Sequence, residues 1–331
     1  MAATPSSFRR WGDKSVRAFL LLLWMAALAV AAPALAQDKR IALSFDDVPR
    51  GAGAFFTPEE RTRRLIAALE QAGVEQAAFF VTTGNLTHPD GAGGEARIAA
   101  YVAAGHVIAN HSDTHLHLDA TPAEDYLADL DRAAAWLKDR PGFRPWFRFP
   151  FLDEGGRDAT KRDALRAGLA ARGLRNGYAT ADGSDWHLEQ LTLDAKRAGK
   201  PMDMASLRKL YLQSQLSGIA YHEALARRTL GRSPPHVMLL HETDLAALFI
   251  ADLVAELRKD GWTIITADEA YADAELAAAM PIVPHTSGTL TGMMAWESGV
   301  QPPLAPLWMS TAMMSWLFET RVLAAPREDG Q

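Results

Sequence analysis

From residue 40 onward, short apolar runs alternate with stretches of helical period, and this alternation constrains the fold more than any other feature. Runs at 41–45, 76–82, 106–111, 174–180, 236–241 and 262–266 read as strands. Helical stretches lie between them at 57–73, 96–105, 121–140, 158–173 and 243–261. The first carries its own punctuation: Thr57 as N-cap, Pro58 at the first helical position, Glu60 to complete a capping box and Gly73 as the stop. Regular alternation of this kind implies βαβ units and a mostly parallel sheet. With about seven strands the choice is an open doubly wound sheet or a barrel. No Gly-x-Gly-x-x-Gly follows the first strand, which removes the main support for a dinucleotide-binding version.

Composition narrows the function. The chain has 331 residues, 48% of them hydrophobic, which is enough for one large α/β domain with a sizeable core. A net charge of −6 and no Lys/Arg-rich block argue against nucleic acid as a partner. The absence of cysteine excludes disulfides, thiolate metal sites and cysteine nucleophiles. Arg9, Arg10, Lys14 and Arg17 precede an uncharged segment, 18–32, and then Ala34-Leu35-Ala36. This is the layout of a signal peptide, 1–36, and the apolar segment is shorter than the ~20 residues needed to span a bilayer. The expectation is export to the periplasm or beyond the cell, with a working chain starting near Gln37 and no membrane span left in it. Residues 187–233 read as a polar helical insertion. Residues 276–331, rich in Met, Trp and Pro, read as a C-terminal helical extension packed on the barrel and closing part of it. Helices are expected at 289–299 and 310–323, the second with Met309, Met313, Trp316, Leu317 and Thr320 on one face.

The chemistry gathers at strand ends. The first strand runs directly into Asp46 and Asp47, although adjacent strand residues point to opposite faces and adjacent carboxylates repel. After the third, His111 and His115 stand four apart, so a helical turn would put both imidazoles on one side of a metal. Two histidines and a carboxylate form a common catalytic metal set, and a cation would reconcile the aspartate pair. Arg148 precedes Phe149-Pro150-Phe151; Asp182, Asp185 and Trp186 follow another strand; His241 ends a further one. In parallel α/β folds ligands bind at the carboxyl ends of strands, and all five clusters fall there.

The ordered set Ser44-Phe45-Asp46-Asp47, His111-Ser112-x-x-His115, Arg148-x-Pro150-Phe151, Asp182-x-x-Asp185-Trp186 and Leu239-x-His241 resembles the polysaccharide deacetylase family, carbohydrate esterase family 4, across roughly residues 40–275. The resemblance implies a distorted (β/α) barrel of about seven strands for the catalytic domain, 37–275. It implies that Asp47, His111 and His115 bind a divalent metal, most often Zn²⁺, with Co²⁺, Ni²⁺ or Fe²⁺ as other ions. Asp46 becomes the general base, Arg148 its partner, His241 the general acid and Asp185 the residue that tunes it. The Phe151 backbone N–H would help bind the oxyanion, and Trp186 and Leu239 would line the acetyl pocket. The implied partner is an acetylated polysaccharide or oligosaccharide. The chain departs from the family in having Val48-Pro49 where glycine is usual, which implies a reshaped substrate loop.

The roles suit amide hydrolysis, which needs an activated water, stabilisation of the carbonyl oxygen and a proton for the departing amine. A glycosidase pair fits poorly, since adjacent carboxylates cannot flank a sugar bond. The alternatives kept are a hydrolase of a small non-peptide amide or an O-acetyl ester on the same fold, and a non-catalytic carbohydrate-binding envelope protein. Other histidines (His88, His117, His187, His222, His236, His285) read as structural or surface, and His106 as a buried hydrogen-bonding residue.

Overall fold

The computed structural model describes Met1 and residues 39–156, 158–279 and 288–323. The expected signal peptide, 1–36, and His285 lie outside the described residues. The chain divides into Met1–Gln37 and Asp38–Gln331, and the second unit carries everything below.

Among the described residues, eight strands form one parallel sheet: β1 (Lys39–Val48), β2 (Ala78–Val81), β3 (Val107–Asn110), β4 (Phe143–Phe147), β5 (Arg175–Asn176), β6 (Ala181–Asp182), β7 (Pro235–His241) and β8 (Trp262–Ile264). Their order is β5-β4-β3-β2-β1-β7-β6, with β8 pairing the first residues of β1. The sheet curls into a half-barrel with helices around it, the distorted (β/α) barrel expected. The run at 174–180 is not one strand. It makes two residues of β5, leaves the sheet and returns as β6, so β5 and β6 stand at the two ends of the sheet order.

The helices are α1 (Pro58–Gln71), α2 (Gly94–Ala103), α3 (Ala123–Leu137), α4 (Ala159–Ala171), α5 (Asp185–Arg197), α6 (Met204–Leu230), α7 (Asp244–Lys259), the short α8 (Ala267–Ala270) and α9 (Ala274–Ala279), α10 (Leu290–Glu297) and α11 (Thr311–Leu317). At α1 the Thr57 side chain accepts from Glu60 N, and Gly73 takes a left-handed φ of 61° just past the end. The reciprocal half of the capping box is not made: the Glu60 carboxylate pairs instead with Arg63 and Arg64.

β1 shows how the core is divided. Ile41, Leu43 and Phe45 face the helices in the largest apolar cluster, while Ala42 faces the barrel interior with Ala78, Phe80, Ala109, Trp146 and Val237. Small residues on that face leave room for the aromatic rings of Trp146, Tyr178 and Tyr271. The helical stretch expected at 187–233 is observed as α5 and α6. α6 buries Leu207, Leu210, Tyr211, Ile219 and Leu225, and packs on β6, α7 and α10 as part of the barrel wall.

The C-terminal extension closes the gap between β5 and β6. Leu290 N donates to the Ala179 carbonyl at 2.8 Å and Thr291 Oγ1 to the Thr180 carbonyl at 3.1 Å, satisfying backbone that no strand pairs. The face that α11 and the following turn bury is Met314, Leu317, Phe318 and Val322 rather than the stripe read from the sequence. Trp316 stays 54% exposed, because the buried positions 314, 317, 318 and 322 follow ordinary helical spacing along the neighbouring face. Among the described residues no helix is long and apolar enough to cross a membrane.

Candidate active site

Strand alternation places the first members of the site. On β1, Ala42, Ser44 and Asp46 share the inward face, and Asp46 is in register with His241 on β7. Asp47 would then point outward. It does not, because its φ is 65°, which turns the chain and brings the second carboxylate round to the same mouth. Six non-glycine residues among those described have positive φ: Asp47, Ser112, His115, Phe151, Leu152 and Ser184. All lie at or beside the sequence motifs, where strained backbone is most often kept for function.

His111 and His115 do not sit on a helical turn. An irregular loop with left-handed Ser112 (φ 68°) and His115 (φ 56°) joins them, and their rings lie 5.0 Å apart. Side chains hold the loop: Ser112 N donates to Asn110 Oδ1, His115 N to Ser112 Oγ, and the Asp113 and Thr114 amides to Asp129 on α3. His115 Nε2 is 3.0 Å and His111 Nε2 3.5 Å from Asp47 Oδ1. One ligand atom from each of the three lies within 4.8 Å of the others.

The donor set fits a divalent cation. His111 Nδ1 lies 2.9 Å from the Arg148 carbonyl, an acceptor only, so the proton sits on Nδ1 and Nε2 offers a lone pair to the centre. Asp47 Oδ1 is buried and has no hydrogen-bond partner. An ionised oxygen facing imidazole lone pairs is the arrangement that a cation resolves.

Asp46 is gripped from behind. Arg148 is wholly buried and its guanidinium donates to Asp46 Oδ1 (2.8 Å), Ser44 Oγ (2.8 Å), the carbonyls of Gly177 (2.7 Å) and Tyr178 (3.2 Å), and Tyr271 Oη (2.9 Å). Its plane also lies over Phe80, 4.0 Å from the ring centre. Asp185, at the start of α5, receives His241 of β7 through both backbone and ring: His241 N donates to Oδ2 at 2.8 Å, and Nδ1 lies 2.7 Å from Oδ1. Burial by itself would lower the His241 pKa; Asp185, with Asp47 and Asp46, overcomes it and raises it to about 9. Leu239 is on the inward face two residues below, 7% exposed, while Trp186 opens α5 beside Asp185 and is 46% exposed. Phe151 (φ 59°) forms the tight turn after β4.

Several residues escaped the sequence reading. Arg50 Nη1 donates to Asp47 Oδ2 at 2.6 Å and leaves Oδ1 to face the histidines. Arg50 is itself tied down, its N–H by Glu242 (2.7 Å) and its carbonyl by Arg61 (2.7 Å). Arg61 also takes the Gly51 carbonyl and lies between Glu242 and Asp244, while Asp244 accepts from Phe55 N and Phe56 N. The loop after Val48-Pro49 is thus fixed by buried charges on α1 and after β7. Tyr271 was missed because nothing in its local sequence marks it. His88 and His117 are not remote. His88 lines a cavity of about 340 Å³ beside the triad with Asp47, Arg50, Asn85, Asp90 and His115. His117 stacks on Phe151 at 3.5 Å, and the other side of that contact is His115, 4.5 Å from the same ring. His106 is buried as expected, accepting from Ala77 N, with burial pulling its pKa down to about 4.

The fold and the site together define a parallel β/α half-barrel with a His-His-Asp cluster, a clamped carboxylate and a cationic histidine at its strand ends. Residues 35–171 match the family model described as polysaccharide deacetylase. That stretch holds Asp46, Asp47, His111, His115 and Arg148; Asp185 and His241 lie beyond the matched stretch and are placed by geometry. Solved structures are similar at low identity. A family 4 carbohydrate esterase from Streptomyces lividans, in complex with acetate, is 22% identical over 71% of this chain and 97% of its own (TM-score 0.46). The polysaccharide deacetylase Bc1974 from Bacillus cereus is 19% identical over 69% and 91% (TM-score 0.49). The chitin deacetylase from Colletotrichum lindemuthianum is 18% identical over 72% and 90% (TM-score 0.48). No curated protein sequence is similar enough to match.

Proposed function

We propose that the chain removes acetyl groups, foremost N-acetyl, from an envelope or extracellular polysaccharide, and that it does so with Zn²⁺ or a similar divalent ion held by Asp47, His111 and His115. The observation that carries the reading is the unpartnered Asp47 Oδ1 facing two imidazole nitrogens, with Asp46 beside them and His241 across the mouth. An ion there supplies Lewis acidity and lowers the pKa of water from 15.7 towards ~7. Asp46, oriented by Arg148, takes the proton from the attacking water. His241, kept protonated by Asp185, gives a proton to the departing amine, which leaves poorly without one. The Phe151 N–H helps hold the oxyanion, and Leu239 and Trp186 meet the acetyl methyl. Export to the periplasm or cell exterior, from the N-terminal sequence, agrees with such a substrate.

The test is acetate release by Zn²⁺-reconstituted protein from peptidoglycan, chitin oligomers, poly-N-acetylglucosamine and acetylxylan, with Asp46→Asn as the blank. Acetate from one of the N-acetylated glycans, absent in the blank, is the expected result. A protein that binds Zn²⁺ only while Asp47, His111 and His115 are intact, yet releases no acetate from any of the four, would overturn the polysaccharide reading in favour of a small amide.

A further inference from the structure

Below the catalytic residues, on the β5 side of the sheet, lies a second cavity of about 200 Å³ with mostly apolar walls, among them Trp146, Leu169, Leu174, Tyr178 and Tyr271. It adjoins the barrel interior, since Trp146, Tyr178 and Tyr271 belong to the interior cluster. Trp146 is 2% and Tyr178 5% exposed, yet neither Trp146 Nε1 nor Tyr178 Oη has a hydrogen-bond partner. A buried polar group without a partner costs about 1–3 kcal/mol, so two beside one cavity ask for a ligand. An indole N–H only donates, and the ligand must therefore bring an acceptor. Arg166 and Arg175 also line the cavity and supply positive charge. Three carboxylates stand near them: Glu154 has one oxygen on Asn176 (2.6 Å) and the other on Arg166 (3.2 Å), Asp268 is in electrostatic reach of Arg175 but is held by Arg144, and Asp273 is in reach of Tyr178 but is held by Arg232.

The cavity touches the catalytic machinery through one side chain. Tyr271 forms part of its wall and accepts from Arg148 Nη2 at 2.9 Å, while its own O–H donates to the Tyr178 carbonyl, which Arg148 also uses. Arg148 holds Asp46, and its carbonyl takes His111 Nδ1. We infer that this cavity binds a small apolar monocarboxylate, of the aryl or branched-chain kind, and that its occupancy is coupled to the metal site through Tyr271 and Arg148.

The experiment is calorimetric titration of the full chain with phenylacetate, and titration of Zn²⁺ against a competing chelator with and without phenylacetate. Neither readout uses turnover, so both stand apart from the deacetylase reading. Ala170 and Ala277 line the cavity and are exposed, so Ala170→Trp and Ala277→Trp fill its mouth without disturbing the core. Each is expected to abolish binding, and Trp146→Phe to weaken it about tenfold through loss of one charge-assisted hydrogen bond. Phenylacetate should change Zn²⁺ affinity several-fold, Zn²⁺ should change phenylacetate affinity by the same factor, and Tyr271→Phe should retain binding but remove the linkage. No binding up to about 10 mM, a Kd weaker than ~3 kcal/mol, would overturn the site. So would binding that the two mouth variants leave unchanged. Binding without any change in Zn²⁺ affinity would overturn the coupling.

Discussion

Asp46 and Asp47 are neighbours in the chain, and each has an arginine, but the two pairs are built differently. Arg148 is sealed from solvent, makes five hydrogen bonds and reaches Asp46 from the barrel interior. Arg50 comes from three residues along the chain, is 29% exposed and meets Asp47 through one hydrogen bond, with Asp47 itself 22% exposed. A buried pair with every donor placed cannot reorient, which suits a base that must aim at one proton. A pair at the rim holds one carboxylate oxygen and leaves the other to a cation. The same two side-chain types thus serve different ends according to depth and connection.

The largest effect should come from the buried pair. Arg148→Met removes the charge and keeps much of the volume, leaving Asp46 without its partner in the interior together with Ser44 Oγ and two carbonyls. Breaking a buried pair from one side typically costs about 3–5 kcal/mol. The expected outcome is a urea midpoint lowered by that amount and acetate release reduced at least ~10²-fold in the folded fraction, the scale of a misplaced general base. A midpoint shift under ~1 kcal/mol would show that the clamp is dispensable and that depth is not what separates the two pairs.

Arg50→Gln probes the rim. Exposed ion pairs contribute about 0–1 kcal/mol, so stability should scarcely change. Metal affinity should fall, because a partner that orients a ligating carboxylate is commonly worth ~10–100-fold. Losing a positive charge beside a cation acts the other way, by about 1 kcal/mol at contact range in water, or roughly fivefold. Orientation therefore wins, and chelator competition should show weaker Zn²⁺ binding with near-normal acetate release at saturating Zn²⁺. Unchanged affinity would reduce Arg50 to a surface pair.

Much of this arrangement was legible in the sequence, for a physical reason. Asp46, His111, Arg148 and His241 lie on inward-facing rows of parallel strands, and period-two patterning exposes such rows to inspection. Asp47 and His115 depend instead on left-handed backbone at non-glycine residues, which no local pattern announces, so their convergence could be expected only from chemistry. Arg50, Arg61, Glu242 and Tyr271 act across long sequence separations and carry no motif. The strand read at 174–180 failed because its apolar residues face the barrel interior at a place where the sheet stops, and α10 rather than a strand pairs the backbone. The stripe read in α11 shares only Leu317 with the buried face of Met314, Leu317, Phe318 and Val322, because a short helix apolar on most sides offers more than one such face.

The smallest effect is also the sharpest test of the two pairs. His241 reports both aspartates: burial lowers its pKa, Asp185 contributes most to raising it, and Asp47 and then Asp46 add to the rise, to about 9. A raised histidine pKa contributes stability that is complete below the ordinary 6.5 and disappears as pH climbs through about 9. As the proton donor His241 should set the alkaline limb of activity, and Asp185→Asn should move that limb to lower pH. For the aspartates the readout must be free of turnover and of metal, so the His241 ring is followed by NMR in the metal-free protein. Asp185→Asn should lower its pKa most. Asp47→Asn should lower it more than Asp46→Asn, because the buried Arg148 neutralises Asp46 more completely than the half-exposed Arg50 neutralises Asp47. The reverse order would mean that Asp46 projects more charge across the mouth than Asp47 does, and that the clamp positions the base without screening it.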